Sequence, residues 1–140
     1  MFRQGLKTVL RLLTHPQRQA EYLTMLLLGK SRKHLSDALK RAGDTHTVDD
    51  VIEMIENGDA RLYKRKKSTV VTQEFDLPAA RQLHFWLAGG DLDDLIQAER
   101  EIVEDAKERG INKVTIIGRP GWQKKLDGFR QAGVILSKEI

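Results

Sequence analysis

One stretch decides the fold: residues 82–92, which read Gln-Leu-His-Phe-Trp-Leu-Ala-Gly-Gly-Asp-Leu. Leu83, Phe85 and Leu87 alternate with the residues between them, and an alternation of period two predicts a β-strand. The strand ends at residues 88–91, because paired glycines followed by an aspartate are typical of a turn. A long helix is predicted directly afterwards. The stretch therefore indicates the strand, turn and helix succession of an α/β domain.

The helix after this turn has one apolar face and one charged face. Its apolar residues recur at helical spacing and are Leu92, Leu95, Ile96, Ile102, Val103 and Ala106. Gly110 ends the helix, since glycine readily takes the left-handed conformation that closes many helices. Eight acidic and two basic residues fall between Asp91 and Glu108. The outer face of this helix is therefore predicted to be strongly acidic.

Further strands are predicted on both sides of this unit. Residues 60–63 and 69–75 show a period of two and flank a basic turn at residues 64–67, which predicts a hairpin. The segments predicted downstream are a buried strand at residues 113–117, a short helix at residues 122–131 and a last strand at residues 134–138. The order from residue 60 onward is thus β-β-β-α-β-α-β, an α/β fold.

Four amphipathic helices are predicted before the first strand. The first two lie before Gly29 and are separated by Pro16, which suits the first position of a helix. The third begins at Ser31, a residue type that caps helix N-termini well. The fourth begins at Thr47, which forms a capping box with Asp50 three residues later.

Composition and charge limit the class of protein. The chain has 140 residues, no cysteine and a net charge of +4. This length predicts one domain with an appendage, and the lack of cysteine excludes a disulfide scaffold, a cysteine nucleophile and a thiolate zinc site. Residues 1–47 hold nine Lys and Arg against three Asp and Glu, a net charge of +6. We therefore divide the chain into a basic helical extension at residues 1–47 and an α/β domain at residues 48–140.

The basic residues form a candidate contact surface, because a cationic segment favours nucleic acid or an acidic protein as its partner. The candidates are Arg3, Lys7, Arg11, Lys30, Arg32 and Lys33 in the helices, and Lys64, Arg65, Lys66 and Lys67 at the hairpin tip. The third and fourth helices and the hairpin also outline a winged helix-turn-helix. The fourth helix is acidic, however, which a reader of the major groove avoids. Nonspecific contact of the hairpin with nucleic acid is the alternative that stays open.

The element order over residues 48–140 resembles the GNAT acyltransferase fold. Residues 89–92 (Gly-Gly-Asp-Leu), residues 106–110 (Ala-Lys-Glu-Arg-Gly) and residues 118–122 (Gly-Arg-Pro-Gly-Trp) are similar to segments of small GNAT-like proteins encoded by tailed bacteriophages. The resemblance implies a GNAT-like mixed sheet preceded by basic N-terminal α-helices. It also implies acetyl-CoA as the cofactor of related enzymes, and Gly89 and Gly90 as the residues that would bind it.

The resemblance further implies where chemistry would take place. GNAT enzymes hold the diphosphate of acetyl-CoA on backbone N–H groups at the start of the long helix, where the helix dipole favours an anion. Asp91, Asp93 and Asp94 occupy that position here, one of them as the expected N-cap, and they would repel the diphosphate. The short helix also lacks the tyrosine that often protonates the leaving thiolate. No catalytic residue is assigned, and Gly89 and Gly90 bind a cofactor only if acetyl-CoA binds.

Three residues after the predicted fourth strand are given structural roles. Trp122 is expected to hold the short helix in the core, directly after Gly121. Arg119 is expected to make an ion pair within its loop or to bind a phosphate or carboxylate. The four histidines are scattered through the sequence without the spacing of a metal site, so no metal is predicted.

The favoured hypothesis is a GNAT-like bacteriophage protein that does not catalyse acyl transfer. Its expected role is structural or in assembly of the virion, through contacts with other phage structural proteins or a second copy of the chain. It is expected in the virion or the host cytoplasm, neither secreted nor spanning a membrane. The first alternative is an active acetyl-CoA-dependent N-acetyltransferase. The second is a nucleic-acid-binding protein that uses the basic N-terminal helices and the hairpin tip.

Overall fold

The structure is a computed structural model that describes residues 29–140. The first two predicted helices, and with them Arg3, Lys7 and Arg11, lie outside the described residues. The elements within them are α1 (Lys30–Arg41), α2 (Val48–Glu56), β1 (Arg61–Lys64), β2 (Ser68–Leu77), β3 (Ala80–Gly90), α3 (Leu92–Glu108), β4 (Lys113–Ile116) and α4 (Trp122–Lys125). No helix within this part of the chain has the length and apolar character needed to cross a membrane.

Four strands form one mixed sheet in the order β1-β2-β3-β4. The first three are antiparallel neighbours, whereas β3 and β4 are parallel. The ends of β3 and β4 and the turn between β1 and β2 therefore lie at the same edge of the sheet, which we call the carboxyl edge. The parallel pairing runs only from Gln82 and Lys113 to Phe85 and Ile116. Beyond Phe85, β3 continues to the carboxyl edge without β4 beside it.

A β-bulge interrupts the pairing of β2 and β3. Val71 pairs with Leu87 and Thr72 pairs with Phe85, so Trp86 is an extra residue in β3. A bulge of one residue exchanges the faces of the residues that follow it. Leu83 and Phe85 accordingly pack on the same side as α3, whereas Leu87 packs with α1 and α2 on the opposite side. Strict alternation would have put all three side chains on one face.

Helices cover both faces of the sheet. The side chains packed between the sheet and the helices α1 and α2 include Leu35, Leu39, Val51, Ile52, Leu62, Val71 and Leu87. Those packed between the sheet and α3 include Tyr63, Val70, Leu83, Phe85, Ala98, Ile102 and Ala106. Leu35 of α1 is fully buried, so residues 30–41 belong to the same core as the sheet. The division of the chain at residue 47 stays a prediction.

Of the two helix caps predicted within the described residues, one is confirmed and the other is wrong. The capping box at Thr47 is confirmed, since its hydroxyl accepts the N–H of Asp50 at 3.1 Å and the Asp50 carboxylate accepts the N–H of Thr47 at 2.7 Å. These hydrogen bonds lower the pKa of Asp50. The cap predicted at Ser31 is wrong. Gly29 is the N-cap of α1 with a φ of 59°, a conformation that favours glycine, and Ser31 is buried inside the first turn.

The end of the chain also differs from the prediction. The short helix stops at Lys125 instead of continuing to residue 131, and the strand predicted at residues 134–138 does not form. Val134 is 72% exposed and Leu136 is 91% exposed. Residues with high β-propensity form a strand only where a neighbouring strand and a buried face are present. Residues 134–138 lie beside no strand within residues 29–140, and the edge of β4 that faces away from β3 stays unpaired.

Candidate functional site

The junction between β3 and α3 is the place where a GNAT-like enzyme would bind its cofactor. Here β3 stays paired with β2 through Gly90, opposite Ser68, and α3 begins at Leu92. Only Asp91 separates the strand from the helix, so the junction contains no loop. The N–H of Asp91 donates to the carbonyl of Lys67 at 2.9 Å. The turn between β1 and β2 is thereby attached to the start of α3.

Gly90 is the residue that allows this attachment. Its φ is 123°, and a Cβ atom at this position would lie 2.3 Å from the carbonyl oxygen of Lys67 and 2.7 Å from the Cα of Ser68. Real Cβ atoms do not approach the backbone so closely. Gly89 is also crowded, since a Cβ there would lie 2.8 Å from the carbonyl oxygen of His34 in α1. Both glycines therefore pack closely against the backbone of other segments of the chain.

Arg65 in the turn binds two carboxylates of α3. Its Nε and Nη2 atoms each donate to Asp94 at 3.2 Å, and its Nη1 donates to Glu101 at 2.5 Å. Ser68 adds a hydrogen bond from its hydroxyl to Asp94. The Arg65 side chain is only 15% exposed and that of Asp94 is 19% exposed. We call this group, Arg65 with Ser68, Asp94 and Glu101, the turn clamp.

The turn clamp changes the electrostatics that the sequence predicts. The hydrogen bonds from Arg65 lower the pKa of Asp94, against a smaller effect of burial. The Asp94 carboxylate is therefore neutralised by a cation of its own chain. Asp91 occupies the predicted N-cap position, but its side chain makes no capping hydrogen bond. At the junction no loop separates β3 from α3, and the turn between β1 and β2 lies against Gly90.

The clamp also changes the assignment of the hairpin tip. Arg65 is a poor candidate for contact with nucleic acid or another protein, because its guanidinium already binds α3. The side chains of Lys66 and Lys67 are exposed, and that of Lys64 is half-buried. On α1, Lys30 and Lys33 are exposed, while Arg32 makes a surface ion pair with Asp49 at 3.4 Å.

Residues 118–122 follow β4 at the carboxyl edge. Trp122 is half-buried and packs against the side chains between the sheet and α3. Its Cδ1 atom lies 3.1 Å from the position of a Cβ on Gly118. Arg119 is exposed. Gly121 has a φ of −58° and open space around its Cα, so neither its backbone nor its surroundings require glycine.

In the described part of the chain no metal site is found, and α4 carries no tyrosine. Residues 29–140 contain no group of three or more His, Asp or Glu that could hold a metal ion. His84 shares a hydrogen bond of 2.9 Å with the hydroxyl of Thr115, and burial lowers its pKa. His46 contacts the ring of Trp86. The one tyrosine of this part of the chain, Tyr63, lies on β1 and faces α3.

A buried polar group was missed by reasoning from the sequence. Asp105 counts among the acidic residues predicted for the outer face of α3, yet it is buried at 6% exposure and faces the sheet. It accepts a hydrogen bond from Arg109 at 3.1 Å and lies 3.8 Å from Arg61 of β1. Arg109 also binds Glu74 of β2. The spacing of Asp105 and Arg109, four residues apart on a helix, is the signal that could have indicated this pair.

Comparison with known proteins identifies the fold class. No family model and no curated protein matches this sequence. Among solved structures, a predicted acetyltransferase from Clostridium acetobutylicum, crystallised with acetyl-CoA, is similar with a TM-score of 0.58 and 13% identity, over 86% of this chain and 91% of that chain. A mutant of the protein TTHA1254 from Thermus thermophilus is similar with a TM-score of 0.50 and 17% identity, over 75% of this chain and 89% of that chain.

These similarities show the fold and nothing finer, because both sequence identities are low. The chain has a GNAT-like, acetyltransferase-like α/β fold, as the resemblance in its sequence implies. The mixed sheet of the fold is confirmed with four strands.

We expect the variant Asp94→Asn to lower the free energy of unfolding by about 1–2 kcal/mol at neutral pH, because it removes the charged partner of a largely buried guanidinium. The folded pKa of Asp94 lies below its ordinary value of 3.8, so this contribution is present above that pH and is lost as the pH falls through the folded pKa. Urea unfolding at several pH values measures the difference. The control is Asp93→Asn, an exposed neighbour, which should change stability by no more than about 0.5 kcal/mol. Equal effects of the two variants at neutral pH would contradict the turn clamp.

We expect Gly90→Ala to lower the free energy of unfolding by about 2 kcal/mol or more, since the added Cβ meets the backbone of Lys67 and Ser68 at a positive φ. Gly121→Ala is the matched control and should leave stability within about 0.5 kcal/mol or raise it slightly. Thermal unfolding followed by circular dichroism compares the two proteins. If Gly90→Ala were as stable as the parent chain, the close approach of the turn would be incorrect.

Proposed function

We propose that this chain is a GNAT-like protein that does not use acetyl-CoA for acyl transfer, and that it has a structural or assembly role in the virion of a tailed bacteriophage. The observation that carries the proposal is the direct connection of β3 to α3, with the turn between β1 and β2 lying on Gly90. The assignment to a phage is supported by the sequence resemblance of residues 89–92, 106–110 and 118–122.

The missing loop removes the usual way of binding a diphosphate at this position. Such a group is held by several backbone N–H groups that converge at the start of a helix. The N–H of Asp91 is already occupied by the carbonyl of Lys67, and Asp91 and Asp93 leave exposed negative charge at the same place. A ligand that carries several negative charges would have to displace the turn and overcome this repulsion.

The lack of a tyrosine on α4 points in the same direction. Protonation of a leaving thiolate needs a titratable group within hydrogen-bond distance of the sulfur. The helix α4 carries Trp122, Gln123, Lys124 and Lys125, none of which is a tyrosine. Tyr63 faces the C-terminal half of α3, beside Asp105 and Arg109. Positioning alone would have to supply the rate acceleration of an enzyme built on these residues.

Protein–protein contacts are supported by exposed apolar side chains near the C-terminus. Val134, Ile135 and Leu136 are between 66% and 91% exposed. Grouped exposed apolar residues are typical of surfaces that bind another protein. We infer that this segment binds another virion protein or a second copy of the chain.

We expect the protein to co-purify with assembled phage particles at a fixed number of copies. The variant Leu136→Asp places a charge in the apolar segment and should lower incorporation at least about tenfold, since a buried unpaired charge strongly disfavours association. The control is Ser137→Asp, which adds the same charge at the next exposed position. Quantitative mass spectrometry of purified particles measures incorporation. A protein found only free in the lysate would remove the virion role, and equal incorporation of the two variants would remove the segment from the interface.

An acetyl-CoA-dependent N-acetyltransferase is the second candidate. It is favoured by the similar Clostridium acetobutylicum protein, which was crystallised with acetyl-CoA, and by the parting of β3 and β4 beyond Phe85 and Ile116. Nucleic-acid binding by Lys66 and Lys67 at the hairpin tip is a third candidate. It is supported by the exposure of both side chains. Arg65 does not contribute to this surface, because its guanidinium binds α3.

Isothermal titration calorimetry separates the first two candidates. We expect no saturable heat when acetyl-CoA is added to about millimolar concentration, the upper end of ordinary substrate affinities. The desulfo analogue serves as a control for nucleotide binding without a reactive thioester. A saturable signal that Gly90→Ala or Asp94→Asn abolishes would place the cofactor at the junction and contradict the proposal.

A further inference from the structure

One edge of the sheet is unpaired in the part of the chain that the structure describes. β4 has β3 on one side, and among residues 29–140 no strand lies on its other side. Outside the strand pairings, no main-chain hydrogen bond within these residues involves residues 113–117. Val114, Thr115 and Ile116 are half-buried, so each keeps some exposed surface. An unpaired strand edge is a template with which another strand can form hydrogen bonds.

The C-terminal segment has the composition of a strand that fits such an edge. Val134, Ile135 and Leu136 are between 66% and 91% exposed, and valine and isoleucine favour β-strands. In the single chain no strand forms at residues 134–138. The same molecule therefore carries a strand edge without a neighbour and a strand-forming segment without an edge.

The side chains of β4 point alternately to the two faces of the sheet. Val114 and Ile116 pack on the side of α3. Thr115 lies on the opposite face, where its hydroxyl shares a hydrogen bond of 2.9 Å with His84. Residues directly opposite each other in antiparallel strands share a face, and complementary pairs stabilise the sheet. A strand added to this edge is therefore expected to match β4 residue by residue.

Residues 135–139 match β4 in one antiparallel register. A shift of this register by one residue would place Lys113 opposite Lys138 and move Leu136 away from the α3 side. A shift by two residues keeps the faces but removes the pairing of opposite charges. The matched register sets Lys113 opposite Glu139, Thr115 opposite Ser137, Ile116 opposite Leu136 and Ile117 opposite Ile135.

The geometry of the single chain favours a second copy as the source of this strand. After β4 the chain lies against α3, since Leu126 is buried and Asp127 lies 3.8 Å from Arg100. From there the segment does not return to its own β4. A second copy has the same edge and the same segment, so each copy can give its strand to the other. Two such pairings close a twofold dimer.

We propose that residues 134–139 of one copy pair as an antiparallel strand with the edge of β4 in a second copy, and that the exchange is reciprocal. Each sheet of four strands thereby gains a fifth strand. The proposal rests on the part of the proposed function that assigns the exposed C-terminal segment to an interface, and it names the partner. It does not depend on the assignment to a phage.

Disulfide formation between chains tests the register, because the parent chain has no cysteine. We expect Thr115→Cys and Ser137→Cys, purified as separate chains and mixed under mild oxidation, to form a covalent heterodimer, since directly opposite residues lie within the Cα distance of a disulfide. Non-reducing electrophoresis measures the heterodimer when one chain carries a mass tag. In the control mixture Lys138→Cys replaces Ser137→Cys, and its side chain points to the other face. It should give at least about tenfold less heterodimer.

Two results of this experiment would overturn the proposal. The first is equal yields from the two mixtures, including no heterodimer in either. The second concerns one chain that carries both Thr115→Cys and Ser137→Cys. If this chain forms its disulfide internally while the mixed single variants do not react, the strand pairs with its own β4.

Analytical ultracentrifugation measures self-association without cysteine variants. We expect the parent chain to form dimers and Leu136→Asp to raise the dissociation constant at least about tenfold, since the charge enters the apolar side of the new strand. The matched control is Leu77→Asp, the same change at a leucine that is 48% exposed at the end of β2. This control should dimerise like the parent chain. A parent chain that stays monomeric at about 100 μM would overturn the proposal.

The strand exchange and the proposed function fail separately. If the purified chain is monomeric but Leu136→Asp still lowers incorporation into particles, the partner is another virion protein, and the strand exchange alone is overturned. If the chain dimerises through this register but is found only free in the lysate, the virion role is removed and the strand exchange stands.

Discussion

The contact between the turn of residues 65–67 and the start of α3 attaches the hairpin of β1 and β2 to the long helix. Arg65 binds Asp94 and Glu101, which lie seven residues apart on the same face of α3. The N–H of Asp91 fixes the first residue of the helix to the carbonyl of Lys67. These bonds set the direction in which α3 crosses the sheet, and its apolar side chains then meet Tyr63, Leu83 and Phe85. The same contact lies at the junction of β3 and α3, where the sequence resemblance implies binding of acetyl-CoA.

The sequence is a good guide to the elements of this fold and a poor guide to their pairing. The alternation around Leu83 and the apolar stripe of α3 each have one strong local period, and both elements form where predicted. The bulge at Trp86 could not be predicted, because it depends on the register that β2 imposes from another part of the chain. The strand predicted at residues 134–138 has the right local composition, but no strand lies beside it within the described residues. Local propensity can be read from the sequence, whereas pairing depends on distant residues.

In the candidate site too, the sequence predicts the residue types but not their partners in the structure. Gly89 and Gly90 are evident in the sequence as a turn signal. Glycine is required at both positions because the backbone of His34, Lys67 and Ser68 leaves no space for a Cβ atom. The negative charge of Asp94 is evident from the sequence, but the cation that neutralises it comes from a hairpin 29 residues away along the chain. In the sequence, Asp105 cannot be distinguished from the acidic residues on the surface of α3. Only the structure shows that it lies beside Arg61. A charge pattern gives the residue types, and only the tertiary structure shows which of them are paired.

The short pairing of β4 has a consequence for how the native state opens. Only the residues from Lys113 to Ile116 pair with β3, and after Leu126 no buried side chain follows. The free energy that holds a segment closed depends on its main-chain pairing and its buried apolar contacts. The amide hydrogens of residues 113–140 should therefore exchange with solvent through partial opening, while β1, β2, β3 and α3 stay intact. A protease would cut this last part of the chain first and leave the remainder folded.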